Sequence, residues 1–521
     1  MSRPDVTVVV AVYNTMPDLT TCLESLVNQT IGHDRLQIVA VDDGSTDGSG
    51  AELDRFAAAY PSVLTVVHQP NSGGPAAPSN RALDLATGRY VFFIGADDHL
   101  GREALERLVS AADRWDSDVV LGRMVGVNKR YVHQEIYDRT RSDIDLFDSP
   151  LPFSLSNTKL FRRDLVERHH LRFPEDMAVG SDQPFTLEAC LRAARISVLA
   201  DYDYYFAVKR LNSTNITYRS DHLARLECVE RIVRFVADMV EPGQRRDAVL
   251  RRHFAWEIAK LFRPDYLKLD AETREQVRAR VGKLVREYLT DGIRARLDAA
   301  TRVLVGTAAY GRPEDLLAII RLTATDGLPS TVVRDQRWFA AFPGFGEAGG
   351  LSDEWYELEP AASRWLAALT AVSVRSVTGP DGDRRVQIFA RSPRPDLADL
   401  VGGDMSVRVG EADAAVRLLP ADPMGTTVEA TFRLQDLAAD LGPAGTTRAV
   451  RVRVADSAAV PVRGFRPPLI HRVVYRDGTR LHLVTINNNH KGHLAFTVWP
   501  VTLRRVAARL RRRLPRGGSS S

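Results

Sequence analysis

The stretch that most constrains this chain is Arg89-Tyr90-Val91-Phe92-Phe93-Ile94-Gly95-Ala96-Asp97-Asp98-His99. Residues 90 to 94 form a short apolar run of β-branched and aromatic side chains, which predicts a strand buried on both faces. The run ends in a small pair and then two adjacent carboxylates. In an open parallel sheet, ligands gather at the carboxyl ends of the strands. Two acids there suit a hard divalent cation held against phosphate oxygens. The competing use is local: Asp97 or Asp98 caps a helix beginning near Arg102.

The preceding residues repeat the pattern. Asp5 to Val12, Leu36 to Val41 and Leu64 to Gln69 read as three more strands. Helices follow Pro17-Asp18, Thr46 and Ala77, the last expected to run to Ala86. Strands alternating with helices at this spacing predict a parallel α/β sheet. Three of the four strands end in polar clusters: Tyr13-Asn14, Asp42-Asp43 and Asp97-Asp98. No GxGxxG follows the first strand and no GxxxxGK[ST] occurs anywhere, so a dinucleotide Rossmann site and a P-loop are disfavoured. Carboxylates without glycine-rich phosphate loops point to a diphosphate held by a metal ion.

The blocks Val10-Ala11-Val12-Tyr13-Asn14, Val41-Asp42-Asp43-Gly44-Ser45-Thr46-Asp47, Asn71-Ser72-Gly73-Gly74 and Asp97-Asp98 together resemble the family 2 glycosyltransferases of GT-A fold. The resemblance implies that Ala11, Tyr13 and Asp42 or Asp43 contact a uridine base. It implies that Asn71 helps hold the nucleotide, and that Asp97 with Asp98 holds Mn²⁺ or Mg²⁺ on the diphosphate. It also implies a catalytic base at Asp182, in Ser181-Asp182-Gln183-Pro184; the local alternative is a helix N-cap there. Lys209 and Arg210 follow an aromatic run, Tyr202 to Phe206, and two cations there suit phosphate oxygens; the alternative is a solvated charge pair. Three positions depart from the family pattern: Gly95 for the first Asp of Asp-x-Asp-Asp, Ser79 for an Arg, and Ser181 for a Glu. Arg81 or Arg130 can stand in for the missing Arg.

The rest of the chain changes character twice. From 221 to 330 apolar residues keep helical spacing, which predicts a helical linker domain. From 331 to 500, alternating runs separated by Pro-Asp-Gly and Arg-Asp-Gly turns predict an immunoglobulin-like β-sandwich module. With 1–220 as the GT-A domain, this order resembles the wall-teichoic-acid N-acetylglucosaminyltransferases of Gram-positive bacteria. Arg210 matches an Arg of that group, while Thr214 stands where the group has His. Residues 501–521 carry seven Arg and no acid, and their spacing predicts a helix with an apolar stripe. They suit an anionic membrane surface or a polyanionic acceptor; the alternative is a solvated terminal helix or a disordered tail.

Charge and cysteine bound the setting. Lys plus Arg is 70 and Asp plus Glu is 66, and the excess lies in that tail. A nucleic-acid partner is not expected. Three scattered Cys fit a reducing compartment, and no run approaches the ~20 apolar residues of a membrane span. The expectation is a cytoplasmic enzyme, peripheral at the inner face of the membrane through the tail. It would move a sugar from a UDP-sugar to a cell-wall or capsular glycopolymer, with inversion, and the β module could form a homo-oligomer. The alternatives are a small-metabolite or lipid-linked acceptor, or a non-catalytic GT-A protein that binds glycan or nucleotide-sugar.

Overall fold

The first four strands form where the sequence places them, because each carries apolar side chains on both faces. In this computed structural model they are β1 (Val6–Val12), β2 (Leu36–Asp42), β3 (Leu64–His68) and β4 (Tyr90–Gly95). Residues 3–177, 179–210, 222–324, 329–334, 337–358, 369–394, 396–401, 404–422, 425–439, 446–454, 459–477 and 480–501 are described. Val6, Val8, Val9, Val10 and Val12 are all at most 1% exposed. Each such side chain stabilises the core by roughly 1.5–3 kcal/mol relative to exposure.

Six further strands follow: β5 (His99–Leu100), β6 (Val119–Gly122), β7 (Met124–Val127), β8 (Leu160–Arg162), β9 (Ile196–Leu199) and β10 (Tyr205–Val208). The main sheet has the order β3-β2-β1-β4-β8-β6-β9. Its first four strands are parallel. The expectation of a parallel sheet is corrected beyond them: β8 runs antiparallel to both β4 and β6. A second sheet, β5-β10-β7, forms beside Asp98. In it β10 pairs antiparallel with β5 and parallel with β7.

Helices α1 (Asp18–Val27), α2 (Ser49–Ala59), α3 (Ala76–Asp84), α4 (Ala104–Trp115), α5 (Arg163–Arg168) and α6 (Asp182–Arg192) complete the N-terminal domain. α4 buries Leu105, Leu108, Val109 and Ala112 at helical spacing. Its N-cap is Glu103, with no side-chain cap. Asp97 and Asp98 therefore cap nothing, and the local alternative for them falls away. Likewise Ser181 precedes α6 without a side-chain cap bond.

The chain divides into two compact units, Met1–Ala309 and Tyr310–Ser521. Helices His222–Met239, Gln244–Arg252, Ala271–Tyr288 and most of Ala299–Tyr310 belong to the first. Pro313–Ala324, read from the sequence as linker, falls with the second unit. There a four-stranded and a larger antiparallel sheet bury one core. Val386, Ile388 and Phe432 from one sheet meet Val452, Val484 and Phe496 from the other. This is the expected layered β module, though its two main sheets start only at Thr370. A smaller three-stranded sheet precedes them. The basic tail, apart from Val501, lies outside the described residues, as does Thr214.

Candidate active site

The site is built from the turns at the carboxyl edge of β1, β2 and β4. Register sets Ala11 opposite both Val41 and Gly95, and Val12 opposite Asp42. Tyr13, next along, is 41% exposed at this edge. Asn14 takes a left-handed conformation and accepts from the Thr46 amide at 2.7 Å.

Asp42 and Asp43 are both buried and tie loops together. Asp42 accepts from the Ser45 amide at 3.0 Å and contacts His68 Nδ1 at 2.9 Å. Burial would raise the Asp42 pKa, but hydrogen bonds from Ser45 and His68 outweigh it and hold the carboxyl below its usual value. Asp43 accepts from Gln69 Nε2 at 2.7 Å and from Ser72 Oγ at 2.9 Å. The two loops touch at Gly44, whose φ is +75°, where a Cβ would lie 2.8 Å from the Asn71 amide nitrogen. Only glycine permits that approach. Exposed Asn71 uses its own oxygen to bind the Gly73 amide at 2.9 Å.

Beyond β4 the two acids take different roles. Asp98 is 5% exposed, and its oxygens are ringed by protein donors. Tyr205 Oη donates at 2.5 Å, the Val208 amide at 2.7 Å and Arg130 Nη1 at 3.4 Å. Burial pushes its pKa up to about 6, partly opposed by Arg130. Asp97 is more open, and its Oδ2 lies 2.8 Å from Arg210 Nε. Arg210 also donates to the Asn14 carbonyl at 3.1 Å, which links the β1 and β4 turns. Lys209 is exposed.

Arg130 reaches Asp98 through a tight turn. Asn128 and Lys129 are both left-handed, and the Arg130 amide bonds the Val127 carbonyl at 3.1 Å. Gly126 is required there, because a Cβ would meet the Arg130 carbonyl oxygen at 1.9 Å. Arg130 Nη1 also donates to the Val208 carbonyl at 2.8 Å. Arg81 is exposed on α3.

Asp182 stands in a second charged cluster, at the first residue of α6. Asp182 is partly buried. Burial pushes its pKa up, and Arg252 and Lys159 oppose the shift. Lys159 is 2% exposed and donates to the Ser154 and Ser156 carbonyls at 2.6 and 2.5 Å. Burial brings its pKa down to about 8. Arg252 donates to Gln183 Oε1 at 2.6 Å and pairs with Glu257 at 3.0 Å. Glu257 lies in a π-helical turn, His253–Ile258, a feature common at functional sites. One turn along α6, Phe185 packs on Phe93 of β4 and on Phe173, so the helix bearing Asp182 is keyed to the strand that leads to Asp97.

The sequence reading did not pick out Tyr205, Lys159, Arg252, Glu257 or Asn80. Asn80 is buried on α3, donates to the Phe173 carbonyl and to Glu175, and accepts from the Phe173 amide, each at 2.9 Å. For Tyr205 a signal existed in the aromatic run 202–206. For Lys159 a signal was the lone cation in an otherwise uncharged 151–161 stretch.

The donor set suits a hard divalent cation at one position. Asp97 offers carboxylate oxygen, already faces a cation in Arg210, and makes no hydrogen bond among the described residues. Asp98 has its oxygens engaged by Tyr205, Val208 and Arg130, which makes it a support for the turn. Among the described residues no group of three or more His, Cys, Asp or Glu forms a cage, so the remaining ligands would have to come from substrate and water, as Mg²⁺ sites commonly arrange.

Residues 7–170 match the family model described as glycosyl transferase family 2, and residues 226–320 match that of the glycosyl transferase TarS linker domain. The chain is 41% identical over 205 residues to a poly(ribitol-phosphate) beta-glucosyltransferase of Bacillus spizizenii, across 39% of this chain and 32% of that protein. It is 37% identical over 203 residues to the poly(ribitol-phosphate) beta-N-acetylglucosaminyltransferase TarS of Staphylococcus aureus, across 39% of this chain and 35% of that one. The matched part thus spans about a third of the length of these relatives. Among solved structures, an N-terminal fragment of S. aureus TarS in complex with UDP-GlcNAc superposes with a TM-score of 0.57 at 27% identity, covering 68% of this chain and 99% of that one. Longer S. aureus TarS shares the fold over 96% of this chain and 86% of its own, with a TM-score of 0.60 at 20% identity. The chain carries a GT-A domain whose residues 7–170 match glycosyl transferase family 2, joined to a TarS-type linker and a strand-rich C-terminal module.

Proposed function

We propose that the protein is an inverting, metal-dependent glycosyltransferase that moves a sugar from a UDP-sugar to a hydroxyl of poly(ribitol phosphate) teichoic acid. The observation that carries this reading is the pairing of open Asp97 with Arg210 at the sheet edge, keyed through Phe93 to the helix that begins with Asp182. The relatives' names and the UDP-GlcNAc complex of the neighbour support donor and acceptor.

Each residue then has a task. Tyr13, at the exposed edge beside Ala11, offers a face to the uracil ring, and the loops tied by Asp42 and Asp43 shape the nucleotide pocket with Asn71. Asp97, supported by Asp98, would hold Mn²⁺ or Mg²⁺, which when bound supplies Lewis-acid charge to the diphosphate. Arg210 and Lys209 bring cationic donors to the departing phosphate oxygens. Arg130 steadies Asp98. Asp182 accepts the proton of the acceptor hydroxyl as it attacks from the face opposite the leaving group. Arg252 and Lys159 oppose the upward shift that burial gives that carboxyl.

The cytoplasmic setting, with the basic tail on an anionic membrane face, belongs to the same proposal. No described helix is long and apolar enough to cross a membrane. Exposed Ile470, Val474, Leu481 and Trp499 on the β module favour a homo-oligomeric contact there.

The test is UDP release from a panel of UDP-sugars, with and without Mn²⁺, in the presence of ribitol-phosphate oligomers. Metal-dependent release with one sugar, coupled to acceptor mass gain, is expected. UDP binding with no turnover on any donor would favour the non-catalytic reading, and turnover on lipid-linked or small acceptors alone would replace the polymer.

A further inference from the structure

The C-terminal unit carries a run of arginines, two of which, Arg451 and Arg453, meet no carboxylate among the described residues. Strands Met405–Val409 and Thr446–Val454 pair antiparallel, with Ser406 opposite Arg453, Val407 opposite Val452 and Arg408 opposite Arg451. Val407, Val450, Val452 and Val454 are at most 2% exposed and fill the core. Alternation along a strand therefore turns Ser406, Arg408, Arg451 and Arg453 to the outward face. Like charges directly opposite on neighbouring strands are destabilising, yet Arg408 and Arg451 stand in that relation.

Counter-charge is present at only one end. Arg408 pairs with Asp413 at 2.6 Å. Arg451 donates to the Ala459 carbonyl at 3.2 Å. Neither Arg451 nor Arg453 meets a carboxylate among the described residues. These side chains border a cavity of about 480 Å³ together with Ser406, Gly410 and Arg448. Gly410 has φ +61°, and a Cβ there would lie 2.1 Å from Arg448 Nη1, so the glycine lets that guanidinium lie against the strand end. The Ser406 Oγ is buried and has no hydrogen-bond partner among the described residues. A buried hydroxyl without a partner, beside Arg451 and Arg453, which meet no carboxylate among the described residues, is a set of donors suited to acceptor oxygens.

We propose that this outward face is an anchoring site for the phosphodiester backbone of the acceptor polymer, remote in sequence from the catalytic residues. Arg451 and Arg453, about 6.8 Å apart on one face by strand geometry, take phosphate oxygens with Arg408, and Ser406 Oγ donates to one of them. Among the described residues the cavity has no aromatic lining. Bases and sugar rings are held largely by stacking on aromatic side chains, so the lining fits a charged backbone instead. This proposal rests on the reading of the acceptor as poly(ribitol phosphate). Its effect is avidity: a long chain held at a second point is retained near the catalytic domain, while a short one gains nothing.

The test uses the full chain, with R451Q/R453Q and the charge-reversed R451E/R453E, all at exposed positions where folding should be unaffected. Transfer to long poly(ribitol phosphate) should show KM raised about 10-fold or more, short of the roughly 10²–10⁴-fold that a fully linked second site can give. The kcat and the kinetics on a three-repeat oligomer should be unchanged. Direct polymer binding should lose salt dependence, with a slope shallower by about two, near one per cation removed. Ser406→Ala should weaken polymer binding less. Unchanged KM and salt slope in both variants would overturn the proposal. So would displacement of the polymer by inorganic phosphate at matched phosphate concentration, which would mark a single-anion site. An uncharged polyol polymer that bound as tightly would also overturn it. If the wild-type chain binds the polymer through these arginines but transfers no sugar to it, the acceptor reading falls and the anchoring site stands. If it neither binds nor transfers, both fall.

Discussion

The two charged clusters of the GT-A domain are built in opposite ways. Around Asp98 the acid is ringed by close donors: Tyr205 at 2.5 Å and the Val208 amide at 2.7 Å. Around Asp182 the cations stand further off, with Arg252 bonded to Gln183 and Glu257, and Lys159 to two carbonyls. A carboxylate saturated by donors is a fixed part of the scaffold. One stabilised mainly through space keeps its lone pairs free for a proton. The difference is between an acid left able to take the proton that the proposed mechanism asks of it and an acid whose oxygens are already committed to holding a turn.

The sharpest way to break this comparison is Asp182→Asn. It should lower kcat by ~10²-fold or more, the range of a lost general base, with UDP affinity unchanged by calorimetry. Full turnover would mean that Asp182 is structural. Next is Asp97→Asn. Mn²⁺ affinity measured through UDP titrations should drop at least ~10-fold, since even outer-shell partners of a metal are worth 10–100-fold. Equal UDP affinity with and without metal in both proteins would remove the cation from Asp97.

Tyr205→Phe probes the saturated cluster. It removes a hydrogen bond to a buried acid and should destabilise the fold by about 1.5–3 kcal/mol, read from the denaturant midpoint. A change within error would show that Asp98 finds another donor. The smallest effect concerns Lys159. Its folded pKa, about 8, lies below the unfolded value, so the unfolded state binds more protons between pH 8 and about 10.4. Stability contributed by this group should therefore rise with pH through that window. Lys159→Met should abolish the rise and also move the acid limb of the kcat profile upward, because Asp182 loses a cation that lowers its pKa. An unmoved limb would separate Lys159 from the base.

The contrast also explains what could be read in advance. Asp97 and Asp98 follow directly on an apolar strand, so position along the chain and position in the sheet coincide. The same holds for Ala11, Tyr13 and Asp42. The partners of Asp182 lie at 159, 252 and 257, and only the packing of the helical segment on the GT-A domain brings them together. Strand β8 contributes three residues, too few to show a period or a direction, and the antiparallel pairing went unforeseen. Tyr205 sat in a recognised aromatic run. Its partner became visible only with the small sheet in which Leu100 faces it. The helix Pro313–Ala324 has ordinary helical periodicity, and periodicity cannot say which neighbour a helix packs against.

Asn80 has a consequence for engineering. One amide clasps the backbone of Phe173 on both sides and the side chain of Glu175. It sits on the helix that starts directly after the Asn71 loop, and the clasped segment leads within ten residues to Asp182. A designer who transplants the 171–182 segment from a relative, in order to change acceptor preference, inherits a mismatched latch unless position 80 travels with it. A graft that keeps Asn80 and its three bonds should dock as a unit, while one that omits it would leave a buried amide without acceptors and a base without a fixed seat.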